Sequence, residues 1–239
     1  MSQTNEHIVK SFDEELNTLK TTISLMGGLV ESQLTDAMDA FRRRDAALAE
    51  RCQQTDLETD QLETRISQLV IRLLALRQPM AGDLRTILVS LKIASDLERM
   101  GDNAKSIAKR AVTLNQLPEV SIVNGITRMA VLTQQLLAQM LDAYASADLE
   151  RAMTVWGRDE EIDSMYTSIF RELLTYMMED PKRISACTNL LYMVKDLERA
   201  GDYVQSIAED IYYAVSGEPL YNEGPDREWE AIKPLKNKK

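Results

Sequence analysis

Residues 96–108 read DLERMGDNAKSIA, and residues 196–208 read DLERAGDYVQSIA. Nine of the thirteen positions are identical at an offset of 100: Asp96/Asp196, Leu97/Leu197, Glu98/Glu198, Arg99/Arg199, Gly101/Gly201, Asp102/Asp202, Ser106/Ser206, Ile107/Ile207 and Ala108/Ala208. An internal match of this quality marks a duplication, and a duplication settles the architecture before local propensity is consulted. Working upstream, Pro79 answers to Pro181 at an offset of 102. Asp56 and Asp60 answer to Asp159 and Asp163 at 103, and so does Asp39-Ala40-Phe41 to Asp142-Ala143-Tyr144. The small drift in offset suits differences in loop length. The chain therefore reads as residues 1–117, a second copy over 118–217, and a polar tail over 218–239.

Each copy is expected to hold three helices. In the first they run over about 8–43, 45–77 and 81–113. Pro79 ends the second of these, because its ring cannot continue a helix. In the second copy they run over about 119–146, 148–178 and 182–216, with Asp148 as an N-cap and Gly217 as a C-terminal stop. Leu84, Ile87, Leu88, Leu91 and Ala94 fall on one helical stripe, which predicts a core face. Long helices joined by short loops lie antiparallel, so the expected fold is all-α, with two tandem antiparallel three-helix bundles. Nothing in the spacing fixes how the bundles meet.

The composition agrees and excludes. Only 9 Gly, 6 Pro and 5 % aromatics leave few breakers and few strand-formers, while 44 % hydrophobic residues supply a core. A net charge of −10 argues against a nucleic-acid partner, which calls for a basic face. The local basic clusters Arg42-Arg43-Arg44 and Lys233 to Lys239 read as a solvated helix end and a terminus. Cys52 and Cys187 form no framework and read as reduced thiols of a cytoplasmic protein. No signal peptide and no membrane span are expected, so membrane contact would be peripheral, through partners.

The carboxylates carry the chemistry. Asp56/Asp60, Glu98/Asp102, Asp159/Asp163 and Glu198/Asp202 are all i,i+4 pairs, each on one helix face. One pair lies on the second helix and one on the third helix of each copy. Two readings stay open. With 38 acidic residues some such pairs arise by chance and are merely solvated. Alternatively, converging carboxylates require protonation or a cation. Both copies keep the pairs, and Glu98 and Asp102 sit at the flank of the buried stripe. Gly101 and Gly201 suggest close helix approach or room beside the carboxylates. Arg99 and Arg199 could serve as counter-ions. Oxygen-only ligands favour Mg²⁺, Mn²⁺, Ca²⁺ or iron over structural zinc.

Enzymatic motifs are missing. A helical di-iron site needs Glu-x-x-His on two helices, and the only histidine is His7, read as an exposed residue. There is no P-loop, no dinucleotide fingerprint and no nucleophile elbow. Gly27-Gly28 marks a kink or close packing, not a phosphate cradle. The alternative enzyme would be a metal-dependent hydrolase built on the carboxylates.

With DLERMGD and DLERAGD in their two-copy layout, the chain resembles the PhoU family. Met26-Gly27-Gly28-Leu29-Val30-Glu31 and Thr175-Tyr176-Met177-Met178-Glu179-Asp180 extend the resemblance over nearly the whole chain. It implies two three-helix bundles related by pseudo-twofold symmetry. It also implies a multivalent metal motif, falling here on Asp56, Asp60, Glu98, Asp102, Asp159, Asp163, Glu198 and Asp202. The implied role is non-catalytic: negative control of the phosphate-starvation response and of phosphate uptake. Such proteins link the ATPase subunit of a Pst-type phosphate transporter to a PhoR-type sensor histidine kinase. Exposed apolar faces make a homodimer a reasonable expectation.

Overall fold

The computed structural model describes the backbone of residues 2–220 and the side chains of residues 12–220. The expectations for the His7 side chain and for the tail from Lys233 to Lys239 lie outside these residues. The described chain is helical, with no strand. The first repeat comprises α1 (Ser2–Arg43), α2 (Ala46–Arg77) and α3 (Ala81–Leu114). The second comprises α4 (Val123–Ser146), α5 (Leu149–Trp156), α6 (Asp159–Glu179) and α7 (Ile184–Ser216), with a 3₁₀ turn at Pro181–Arg183.

Local chemistry sets the ends. Asp45 and Asp148 occupy equivalent N-cap positions in extended backbone. Their side chains accept the Leu48 and Arg151 backbone N–H groups, each at 3.0 Å. Each satisfies a donor that the helix itself leaves orphaned. Before Pro79, Gln78 turns into the left-handed region at φ 45°, and α2 stops there. Gly217 does the same after α7 at φ 81°, a conformation glycine adopts without strain.

One expected helix is two. The segment anticipated as continuous over 148–178 breaks at Gly157 and Arg158. Gly157 stands where the first repeat has Gln54, and glycine is a poor helix interior. Asp159, Glu160 and Glu161 follow, and acidic residues in a first turn favour a new helix start. Arg158 then pairs with Glu161 at 2.7 Å.

The third helices form the centre. α3 packs on α1, α2 and α7, while α7 packs on α3, α4, α5 and α6. Ile87, Ile93, Ala94, Leu97, Ala104 and Ile107 are wholly buried along α3. The stripe expected from sequence divides here. Ile87 and Ala94 enter the core, but Leu84, Leu88 and Leu91 remain about two-fifths exposed, on a side that no described helix fully covers.

The repeats join through α1 on α4 and α3 on α7. Gly27 makes the first contact possible, since a Cβ there would overlap the Leu141 side chain. α1 runs through Gly27-Gly28 as one helix, so the pair marks close packing rather than a break. The α3–α7 seam is antiparallel and reciprocal: Ser206 favours the charged form of Asp96, and Ser106 that of Asp196. These exchanges set an approximate twofold relation centred at the level of Gly101 and Gly201. At the ends of the seam the symmetry lapses. Lys92 pairs with Asp210 at 3.0 Å at one end. At the other, equivalent end the Arg110 guanidinium lies 4.5 Å over the Tyr192 ring and 3.8 Å from Asp196.

Candidate functional site

The two glycines of the repeated motif decide where the carboxylates meet. A Cβ at Gly101 would stand 3.2 Å from Gln33 Oε1, 3.4 Å from Thr59 Cγ2 and 3.9 Å from Asp56 Oδ1. A Cβ at Gly201 would stand 2.8 Å from Ile162 Cδ1 and 3.4 Å from Asp159 Oδ1. In both repeats the missing side chain thus lets the third helix press onto the second at its first carboxylate. Glu98 and Glu198 sit half-buried one turn before, and Asp102 and Asp202 lie exposed beside the glycine.

The second repeat brings three carboxylates together. One oxygen each from Asp159, Asp163 and Asp202 lie within 4.8 Å of one another. Asp159 comes from the first turn of α6, Asp163 from one turn further on, and Asp202 from α7. Beneath them lies Ile162, wholly buried and against Gly201. Against this apolar floor the charged forms are disfavoured. Asp159 is pushed up to about 6 by burial first, then by Asp163, Asp202 and Glu198. Asp202 is also pushed up to about 6, by burial and then by Glu198, with Lys195 pulling the other way. Asp163 is raised by burial and by Glu198, with Lys195 again pulling the other way. Glu198, beside the three, is paired with Lys195, which donates to it while lying 5.4 Å from the Tyr166 ring.

The first repeat differs at every one of these points. Its floor is polar: Thr59 stands where the second repeat has Ile162, and Gln33, whose sequence equivalent is Leu136, lies beside it. The Thr59 hydroxyl donates to Gln33 Oε1 at 3.1 Å. Asp56 is buried, and the Lys105 ammonium donates to it directly. Lys105 also stands 3.8 Å from Asp102. Glu98 is raised by burial first, then by Asp102, Glu63, Asp60 and Asp56. Asp60 is exposed.

All eight carboxylates expected as ligands thus lie at the junctions of second and third helices. Oxygen donors on two helices fit a hard divalent cation at the second cluster. Ligands about 2.0–2.6 Å from one ion lie at most roughly 5 Å apart. Sequence reasoning missed Lys105 and Lys195. Each sits three residues from a motif carboxylate, Asp102 and Glu198, a spacing that places both on one helix face. Arg99 and Arg199, read as possible counter-ions, are exposed; each favours the charged form of the seam aspartate three residues before it.

Comparison with known proteins places the chain as a whole. The family described as "PhoU domain" matches residues 23–111 and again 126–211. The "Phosphate-specific transport system accessory protein PhoU homolog" of Caulobacter vibrioides (strain NA1000 / CB15N) is 49 % identical over 221 residues, 92 % of this chain and 96 % of its own. The protein of the same name from Rhizobium meliloti (strain 1021) is 46 % identical, covering 92 % of this chain and 93 % of its own. The crystal structure of PhoU from Pseudomonas aeruginosa superimposes with a TM-score of 0.83 at 37 % identity, covering 87 % of this chain and 100 % of the other. Two tandem matches, the shared fold and identity across nearly the whole length lead to one assignment: this chain belongs to the PhoU family.

Proposed function

We propose that this chain is a non-catalytic accessory regulator of phosphate transport, restraining uptake and the phosphate-starvation response when phosphate is plentiful. The observation that carries the reading is 49 % identity, over 92 % of the chain, to a protein named as an accessory of the phosphate-specific transport system. Its partners are the ATPase subunit of a Pst-type transporter and a PhoR-type sensor histidine kinase, which it connects as an adaptor in the cytoplasm. No helix among the described residues is long and apolar enough to cross a membrane. Membrane association, in this reading, runs through the partners. The hydrolase alternative draws no support from relatives named as accessory proteins, and we set it aside.

Docking surfaces are at hand. Ile71, Leu76, Met80, Leu84, Leu88 and Leu91 are exposed on α2, α3 and the turn between them, an apolar surface suited to a second copy. A multivalent cation on the carboxylate clusters would neutralise charge where the helices meet.

The test is a pull-down from cells grown at high and low phosphate, using wild type and a Glu98→Gln/Asp102→Asn/Glu198→Gln/Asp202→Asn variant. Recovery of the transporter ATPase or the kinase in a phosphate-dependent manner is expected. Recovery of neither at either phosphate level would sink the adaptor role.

A further inference from the structure

We propose that the two repeats meet the same electrostatic demand by different means: the first carries its own cation in Lys105, and only the second takes a divalent cation from solution. This rests on the reading of the carboxylate clusters as cation sites. The Lys105 ammonium sits between Asp56 and Asp102, touching the first and 3.8 Å from the second. It shows where a positive charge is wanted in this architecture. The equivalent of Asp56 is Asp159, that of Asp102 is Asp202, and that of Lys105 is Gln205. An amide carries no charge, so the second repeat keeps the carboxylates and lacks a cation at the position of Lys105.

Lys195 offsets only part of the difference: it favours the charged forms of Asp163 and Asp202 but leaves Asp159 without a cation. It lies before the motif, where the first repeat has Ser95, and its ammonium goes to Glu198. Glu198 is thereby paired, though its charge still bears on the three aspartates, and Asp159, Asp163 and Asp202 converge on one another within 4.8 Å. Three carboxylate oxygens from two helices, with water completing the shell, suit Mg²⁺ or Mn²⁺ rather than a thiol-seeking metal. In the first repeat a metal would have to expel a charged side chain from a buried carboxylate before binding. The residues there do not fit a metal while Lys105 is in place.

Equilibrium dialysis of the full chain against Mn²⁺, followed by metal analysis, tests the division. Wild type is expected to retain Mn²⁺, Asp163→Asn/Asp202→Asn to lose it, and Asp56→Asn/Asp60→Asn to keep it. Lys105→Gln opens the first cluster and should roughly double the uptake. Should that variant fold poorly by circular dichroism, the reciprocal change serves. Gln205→Lys places an ammonium at the second cluster and should abolish uptake without lowering the melting temperature. If Asp56→Asn/Asp60→Asn reduces uptake as much as Asp163→Asn/Asp202→Asn, or Gln205→Lys leaves uptake intact, the division is wrong although the clusters still bind metal. If neither wild type nor Lys105→Gln takes up Mn²⁺, the cation reading itself falls, and the division with it.

Discussion

The first carboxylate cluster rests on Gln33 and Thr59, the second on Ile162. The backbone positions are equivalent and the motif residues identical, yet the electrostatics differ. Over the polar floor Asp56 is buried and paired with Lys105. Over the apolar floor Asp159 is half-buried with no such partner, and its carboxyl is pushed up to about 6. Duplication copied the carboxylates, and divergence beneath and beside them settled what each copy does with its charge. The motif alone therefore does not define a site; the side chains one layer below it, and the residue three positions after it, do.

This contrast between unequal sites and equal scaffolds can be broken at several levels. The largest effect is expected in the core, where the repeats should behave alike. Leu97 and Leu197 are equivalent and both wholly buried. Leu97→Ala and Leu197→Ala should each cost about 2–5 kcal/mol in urea unfolding. A loss below about 1 kcal/mol from either would show that the two cores are not equally packed. The caps come next: Asp45→Ala and Asp148→Ala should each cost about 1 kcal/mol, since both accept an N–H at 3.0 Å. A clearly smaller cost at Asp148 would mean that α5, only eight residues long, is held by packing rather than by its start.

The ends of the seam should respond more weakly. Tyr192→Ala removes the ring under Arg110 and should cost about 0.5–1 kcal/mol. Lys92→Ala should cost no more than about 1 kcal/mol, because its ammonium is largely in water. A loss of more than about 2 kcal/mol from Lys92→Ala would show that its pairing with Asp210 is far better shielded than its exposure indicates.

The smallest effect is expected from pH, because Asp163 and Asp202 are exposed and solvent screens them. Asp159 and Asp202 titrate near 6 when folded, against an ordinary value of 3.8. The folded state therefore holds protons that the unfolded chain releases. The resulting cost is absent below about pH 4, grows as pH rises, and is complete above about pH 6. Metal-free protein should melt at a higher temperature near pH 5 than near pH 7.5, and Asp159→Asn/Asp202→Asn should flatten that slope. A flat wild-type profile would remove the electrostatic difference between the repeats.

Much of the fold was legible because helix period and internal identity are local or pairwise signals. Pro79, Asp148 and Gly217 marked ends that the structure has. The break at Gly157 was harder to read, because a lone glycine inside an apolar period is often tolerated. Here the three acids after it tip the balance. Leu84, Leu88 and Leu91 misled because an amphipathic stripe reports periodicity, not which neighbour covers it. At the site, the carboxylate positions came from the repeat itself. Lys105 was visible as a letter but not as a partner, since its meeting with Asp56 depends on how α3 crosses α2. The exchange of Asp96 and Asp196 with opposite serines was hidden for the same reason: identity between copies does not say that the copies touch.

Two first repeats set against each other in the register of the α3–α7 seam would place Lys92 opposite Arg110 at both ends, cation against cation. Two second repeats would place Tyr192 opposite Asp210, with no cation for either. Only the mixed arrangement gives each end a partner. If an ancestor was a symmetric dimer of one half, its descendants have lost that option at four residues. At these ends each half suits the other better than itself, and a gene split between Leu117 and Val120 should yield two polypeptides that seek each other rather than themselves.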